Sequence, residues 1–381
     1  MSLQRARDLD RSDPLGELRG QYDIPSGTVY LDGNSLGAPL RSIPGRLAEV
    51  VSGQWAGRLI RAWPEHWWDA PVRVGERIAP LVGAAPGQVV VGDSTTVNLF
   101  KSIIAGLRIG AGRGRSELAV LGDAFPTDRY IAVSAARMMD SPITTEITER
   151  TALVLAGHVD YRTGVIADFA AITEQAHDAG AVILWDLCHS VGALPVELDA
   201  HAVDLAVGCT YKFLSGGPGA PAFVYVASAL QADYDQPLTG WTGHADPFAM
   251  TEDYQAAEGV ARARAGTPDM LSMLALDAAL DIWDQTSIVD ARAKAQQLTQ
   301  FFVDCVEDLP VTVLAPDPAT RGNQVSLRHP DAKDLIARLA EQDILGDFRT
   351  PDIARFGFQP LYVSFEDAWR AASALRALLS T

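Results

Sequence analysis

Short apolar segments, each closed by a turn and followed by a helical stretch, govern what this chain can fold into. Val89-Val90-Val91 leads into Asp93-Ser94-Thr95-Thr96-Val97-Asn98 and a helix running to about Leu107. Residues 117–121 lead into Phe125-Pro126-Thr127-Asp128 and a second helix. Apolar runs at 152–155, 181–184, 204–207 and 222–226 continue the series, with a helix over 169–179. Strands alternating with helices predict an α/β protein whose mainly parallel sheet is covered on both faces. In such sheets ligands bind beyond the carboxyl ends of the strands. Asp93, Phe125, Asp186 and Lys212 all follow predicted strand ends, so one pocket can hold them all.

Around this series the chain reads as follows. Residues 1–28 are polar and form an N-terminal arm. Val29-Tyr30-Leu31 is a short strand that runs into the turn-rich loop Asp32-Gly33-Asn34-Ser35-Leu36-Gly37. Apolar spacing at Ile43, Leu47, Val50, Val51 and Trp55 predicts a helix over 42–59. An aromatic patch of Trp63, His66, Trp67 and Trp68 follows. Helices are expected over 270–284 and 288–309, then a strand at 324–327, a helix at 332–342, a strand and loop at 347–358 and a helix at 365–379. The expected division is an arm and first helix over 1–53, a large ligand-binding domain over 54–284 and a small domain over 285–381.

With 31 basic and 48 acidic residues the net charge is -17. That argues against nucleic acid or an anionic membrane surface as a partner, since both need a basic face. The three cysteines, Cys188, Cys209 and Cys305, have no metal-ligand spacing, and no metal is expected. They suit a reduced, cytoplasmic protein. No apolar run follows the first arginines, and none reaches membrane-spanning length, so neither a signal peptide nor a membrane anchor is expected.

Lys212 carries the chemistry. A hydrophobic strand leads into Gly208-Cys209-Thr210-Tyr211-Lys212-Phe213-Leu214-Ser215, and Gly216-Gly217-Pro218-Gly219 leads out. Some 26 residues earlier, another apolar strand ends in Asp186, with His189 close behind. A lysine and an aspartate at two strand ends meet the needs of pyridoxal phosphate. The amine forms a Schiff base with the cofactor aldehyde, and the carboxylate keeps the pyridine nitrogen protonated. Thr95 and Thr96 open a helix, whose free N–H groups and dipole favour a phosphate, although hydroxyl residues there are also ordinary caps. Phe125 offers an aromatic face for a pyridine ring. Arg349 and Arg355 can clamp a substrate carboxylate. Arg355 shares a strand face with Ile353 and fits an inward position better.

Seven segments resemble the kynureninase family, in the family's order and over nearly the whole chain. They are Tyr30-Leu31-Asp32-Gly33-Asn34-Ser35-Leu36-Gly37, Asp93 to Leu99, Phe125 to Asp128, Trp185-Asp186-Leu187-Cys188-His189-Ser190, Tyr211 to Gly219, Gly240-Trp241-Thr242-Gly243-His244 and Arg355 to Tyr362. The resemblance implies the fold type I architecture of pyridoxal phosphate-dependent transferases. That is a mainly parallel seven-stranded sheet sandwiched by helices, plus a smaller C-terminal α+β domain, working as a homodimer with shared active sites.

By position, the resemblance gives Lys212 the cofactor aldehyde, Asp186 the pyridine nitrogen and Phe125 the ring face. Thr95, Thr96, Asp128, His189, Tyr211 and Trp241 line the cofactor, with Tyr211 and Trp241 near the phosphate. Thr267 reaches the site from the partner subunit, and Arg355 takes the substrate carboxylate. Gly157 stands where the family often has a hydroxyl residue on the cofactor. Thr267 stands where some members, notably the animal enzymes, have asparagine, which leans toward plain L-kynurenine over its 3-hydroxy form. The implied reaction is hydrolysis of L-kynurenine to anthranilate and L-alanine within tryptophan breakdown. Lys212 serves as the Cα base, with Tyr211 moving protons at the substrate. Two rivals stand beside it: a cysteine desulfurase-like lyase, which needs an exposed thiolate, and a cofactor-binding protein without turnover.

Overall fold

The computed structural model describes residues 1–122 and 124–380. Its centre is a seven-stranded sheet in the order Val89–Val91, Phe223–Val226, Leu205–Gly208, Val182–Asp186, Thr151–Gly157, Glu117–Val120, Ile143–Thr144. Phe223–Val226 runs antiparallel to both its neighbours, and the other pairings are parallel. The edge strand Ile143–Thr144 has no signal in the sequence, because two residues are too few to show a period.

The strands are apolar throughout because both faces are covered. Successive residues of Val182–Asp186 enter opposite cores. Ile183 and Trp185 join Val154, Phe169, Ala206 and Leu276, whereas Val182 and Leu184 join Leu99, Ile103, Leu153 and Ala135. Full burial of each such side chain contributes about 1.5–3 kcal/mol. Helix Thr95–Gly112 covers one face and is capped by Ser94, whose hydroxyl accepts from Val97 N–H. Helix Phe169–Asp178 lies over the other, where Trp185 donates to Thr173 Oγ1 at 3.1 Å.

A four-stranded antiparallel sheet in the order Asp347–Arg349, Ile353–Gly357, Gln324–Arg328, Thr312–Val313 follows in the chain, flanked by Ile288–Val306, Ala332–Ala340 and Phe365–Leu379. The expected strand and loop at 347–358 is a hairpin of two of these strands. Val29–Tyr30 pairs in parallel with Ile344–Leu345.

Two expectations need correcting in detail. The arm over 1–28 contains a regular helix, Leu3–Arg11, which packs on Phe365–Leu379. Asp10 accepts the free N–H groups of Phe365 and Glu366 at 2.7 and 2.9 Å. With Ala6 its only buried residue and a stripe of just Leu3, Ala6 and Leu9 among charged residues, this helix is too short and polar to stand out in the sequence. The helix over 42–59 is α-helical only over Ile43–Glu49 and widens into a π-helix over Val50–Ala56, as does Trp63–Trp67. Among the described residues, no helix is long and apolar enough to cross a membrane.

Candidate active site

At the carboxyl ends of the parallel strands lies a cavity of ≈ 340 Å³. Thr95, Thr96, Phe125, Asp128, Gly157, Tyr161, Asp186, His189, Tyr211 and Lys212 are among its lining residues. Lys212 Nζ lies 2.9 Å from His189 Nε2. The contact exists because Val182–Asp186 and Leu205–Gly208 are adjacent parallel strands, with Asp186 opposite Val207. His189 and Lys212 follow their carboxyl ends.

The Lys212 turn is held from behind. Gly37 N–H donates to the Tyr211 carbonyl at 2.8 Å, and Gln359 Nε2 donates to the Phe213 carbonyl at 2.6 Å. A Cβ at Gly37 would come within 2.2 Å of the Lys212 carbonyl oxygen, so only glycine permits this approach. The Asp32-to-Gly37 loop thus wedges between the lysine turn and the C-terminal sheet, where Asp32 bridges to Gly357.

The electrostatics suit a bound heterocycle. Asp186 Oδ1 accepts the Cys188 N–H at 2.8 Å. Burial and the neighbouring Asp186 raise the pKa of Asp128, and Asp128 Oδ2 is buried without a partner. Burial, followed by the charges of Lys212, Arg355 and Arg349, holds His189 well below the usual imidazole range. The ring is therefore neutral. If Nε2 accepts from the Lys212 ammonium, the ring proton sits on Nδ1, which is also buried and unpartnered. Burial, then Cys209 and Cys188, pushes the Tyr211 phenol up, so it stays protonated. The first turn of Thr95–Gly112 reaches the same cavity through Thr95 and Thr96. An acidic strand end, an amine, orphaned polar atoms and a helix N-terminus in one cavity fit pyridoxal phosphate.

Phe125 is 41% exposed and packs edge-on against Tyr161, with ring centroids 4.9 Å apart. Gly157 has open space where a side chain would start. No hydroxyl stands there to contact a cofactor.

Arg355 is 1% exposed and does not itself line the cavity. Its Nε donates to Asp347 Oδ1 at 2.7 Å, and its Nη2 donates to Asp347 Oδ2 and, at 2.8 Å, to Ser35 Oγ. Its Nη1 donates to the carbonyl of Tyr161, which does line the cavity. Arg349 Nη2 is 2.8 Å from Asp347 as well. Asp347, Ser35 and Tyr161 were not singled out from the sequence. The hairpin register would have found Asp347, since it sits directly opposite Arg355 as a cross-strand pair of opposite charge.

Besides Arg355, two further expected site residues, Trp241 and Thr267, do not line this cavity within one chain. Trp241 is 38% exposed and donates from Nε1 to Thr267 Oγ1 at 3.2 Å. Its ring lies 5.3 Å from Trp68 and 6.1 Å from Phe248, and Arg264 stands over Trp68 at 4.9 Å. The backbone fixes this placement, because Thr242 N–H donates to the Ala265 carbonyl at 3.2 Å. All three cysteines are buried, and Cys209 and burial push the Cys188 thiol up. None presents the exposed thiolate that a desulfurase-like reaction requires.

Residues 291–375 match the kynureninase C-terminal domain. Over 399 aligned residues the sequence is 44% identical to the kynureninase of Deinococcus radiodurans, covering 100% of this chain and 97% of that protein. It is 41% identical to the kynureninase of Burkholderia pseudomallei over 397 residues, covering 99% and 95%. Among solved structures, the fold is similar to a cysteine desulfurase from Thermococcus onnurineus NA1, with a TM-score of 0.82, 18% identity, and coverage of 96% and 98%. It is also similar to the cystine C-S lyase C-DES, with a TM-score of 0.80, 18% identity, and coverage of 92% and 97%. Such distant likeness speaks for the fold alone.

Proposed function

The chain belongs to the kynureninase family, and on that premise we propose that the Lys212 cavity hydrolyses L-kynurenine to anthranilate and L-alanine. Pyridoxal phosphate is its cofactor, and when bound it supplies an electron sink for the substrate's α-carbon. The observation that carries the reading is the meeting of Lys212, His189, Asp186 and Asp128 in one cavity at the strand ends.

Lys212 Nζ would hold the cofactor aldehyde, and the same amine is placed to move the proton at the substrate Cα. Asp186 keeps the pyridine nitrogen protonated. His189, neutral and 2.9 Å from Nζ, orients the amine. Thr95 and Thr96 bind the phosphate at the helix N-terminus. Phe125 packs on the ring. Tyr211 Oη, held protonated by its burial, hands protons to the substrate. Arg355 takes the substrate carboxylate. The overall reaction adds one water across the Cβ–Cγ bond.

The working form is a homodimer in the cytoplasm. Trp241 and Thr267 are paired with each other and lie away from their own chain's cavity. That supports a reading in which they complete the site of the partner subunit. Exposed Val51, Trp55, Leu59, Ile60, Phe248 and Met250 supply apolar surface of the kind an interface covers. Three unpaired cysteines suit a reducing compartment.

Purified protein loaded with pyridoxal phosphate should release anthranilate from L-kynurenine, followed by its fluorescence. No aromatic amine product from either kynurenine or 3-hydroxykynurenine would overturn the substrate. Lys212→Ala should lose the absorbance of the lysine-bound cofactor, and persistence of that band would overturn the lysine.

A further inference from the structure

Resting on that reading and deepening it, we propose that Asp347 is a positioning residue for the substrate. It grips Arg355 along one edge and so turns the other edge of the guanidinium toward the substrate carboxylate.

A guanidinium has two forks for a carboxylate, a side fork of Nε with Nη2 and an end fork of Nη1 with Nη2. Asp347 fills the side fork with both its oxygens. The grip is built into the backbone, because Asp347 and Arg355 are opposite each other in the hairpin. The end fork holds Ser35 Oγ through Nη2 and the Tyr161 carbonyl through Nη1. Tyr161 lines the cavity, so the end fork is the edge that faces the substrate. Both its present partners are neutral. An incoming carboxylate therefore displaces a hydroxyl or a carbonyl, which an anion outcompetes, and leaves Asp347 in place.

The charge balance agrees. Asp347 alone faces two guanidinium groups, Arg355 and Arg349. Asp32 stands nearby, and burial and Asp347 push it up to about 7. Asp32 therefore carries less negative charge than an ordinary carboxylate, which leaves the two guanidinium groups incompletely neutralised and suits an incoming carboxylate.

The test is Asp347→Asn in the cofactor-loaded enzyme. Without the anionic grip the end fork is misaligned, and KM for L-kynurenine should rise about tenfold to a hundredfold. In the same variant kcat should stay within about threefold, the pattern of lost substrate binding. The absorbance of the lysine-bound cofactor should not change. Kynurenamine, which lacks the carboxylate, serves as a competitive ligand, and its inhibition constant should be the same in parent and variant. A KM unchanged from the parent overturns the proposal, and so does an equal weakening of both ligands, which marks a merely structural role. Should Asp347→Asn fail to fold, Asp347→Glu, which keeps the charge one methylene out of place, is judged by the same two measurements. Arg355→Lys separates the two readings. An unchanged KM there removes Arg355 from the site, whereas a raised KM there with an unaltered Asp347 variant overturns the role of Asp347 alone.

Discussion

Lys212 Nζ and His189 Nε2 stand 2.9 Å apart although 23 positions separate them in sequence. Two adjacent parallel strands deliver the pair to one spot. Because burial and three nearby cations keep the imidazole neutral, His189 can accept from the lysine without repelling it. His189→Leu removes that acceptor and leaves the amine unaligned. The expected result is a kcat/KM lower by about tenfold to a hundredfold, measured by anthranilate release. His189→Gln, which keeps an acceptor, should recover part of the loss.

Gly37 sets the position of the lysine turn from behind. A methyl group there meets the Lys212 carbonyl and the Ser215 side chain at 2.2 and 2.5 Å. Gly37→Ala should cost about 1–3 kcal/mol, the usual range for overpacking, read as a lower denaturant midpoint. Turnover should fall with it, since the turn that moves carries Lys212.

Asp32 makes stability depend on pH in a defined direction. Burial and Asp347 raise its folded-state pKa to about 7, above the ordinary carboxylate value. A raised folded value means that the folded state holds the proton that the unfolded state releases. The associated stability is fully present below about pH 4 and is lost as pH rises toward 7. Asp32→Asn removes this dependence. Melting temperatures of parent and variant should therefore diverge between pH 4 and 7, with the variant gaining on the parent. Equal slopes across that window would show that Asp32 titrates as it does in the unfolded chain.

The proposed sharing of active sites between subunits makes a distinctive prediction for mixed dimers. Lys212→Ala and Trp241→Ala should each be nearly inactive alone. Unfolding and refolding them together forms heterodimers in which one site carries both defects and the other neither. Activity should reappear on mixing. No recovery, with heterodimers verified by tagged purification, would confine Trp241 to its own chain.

The sequence by itself determined six of the sheet's seven strands and most helices, because strands buried on both faces must be apolar throughout and their spacing is visible in one dimension. It also determined where Lys212 and Asp186 stand, just past the apolar runs, and the fold brings both to one cavity. It did not reveal the helix Leu3–Arg11, whose short apolar stripe is lost among charged residues and which is held by Asp10 and by packing on Phe365–Leu379. Nor did it reveal the two-residue edge strand Ile143–Thr144. Only the tertiary structure decided how Arg355 is used. In the sequence it is a free cation on an inward face. In the fold its side fork is filled by Asp347 and its end fork faces Ser35 and Tyr161. Those partners come from three separate stretches of chain, and a guanidinium's direction is set by the partners around it. No local pattern in the sequence carries that information.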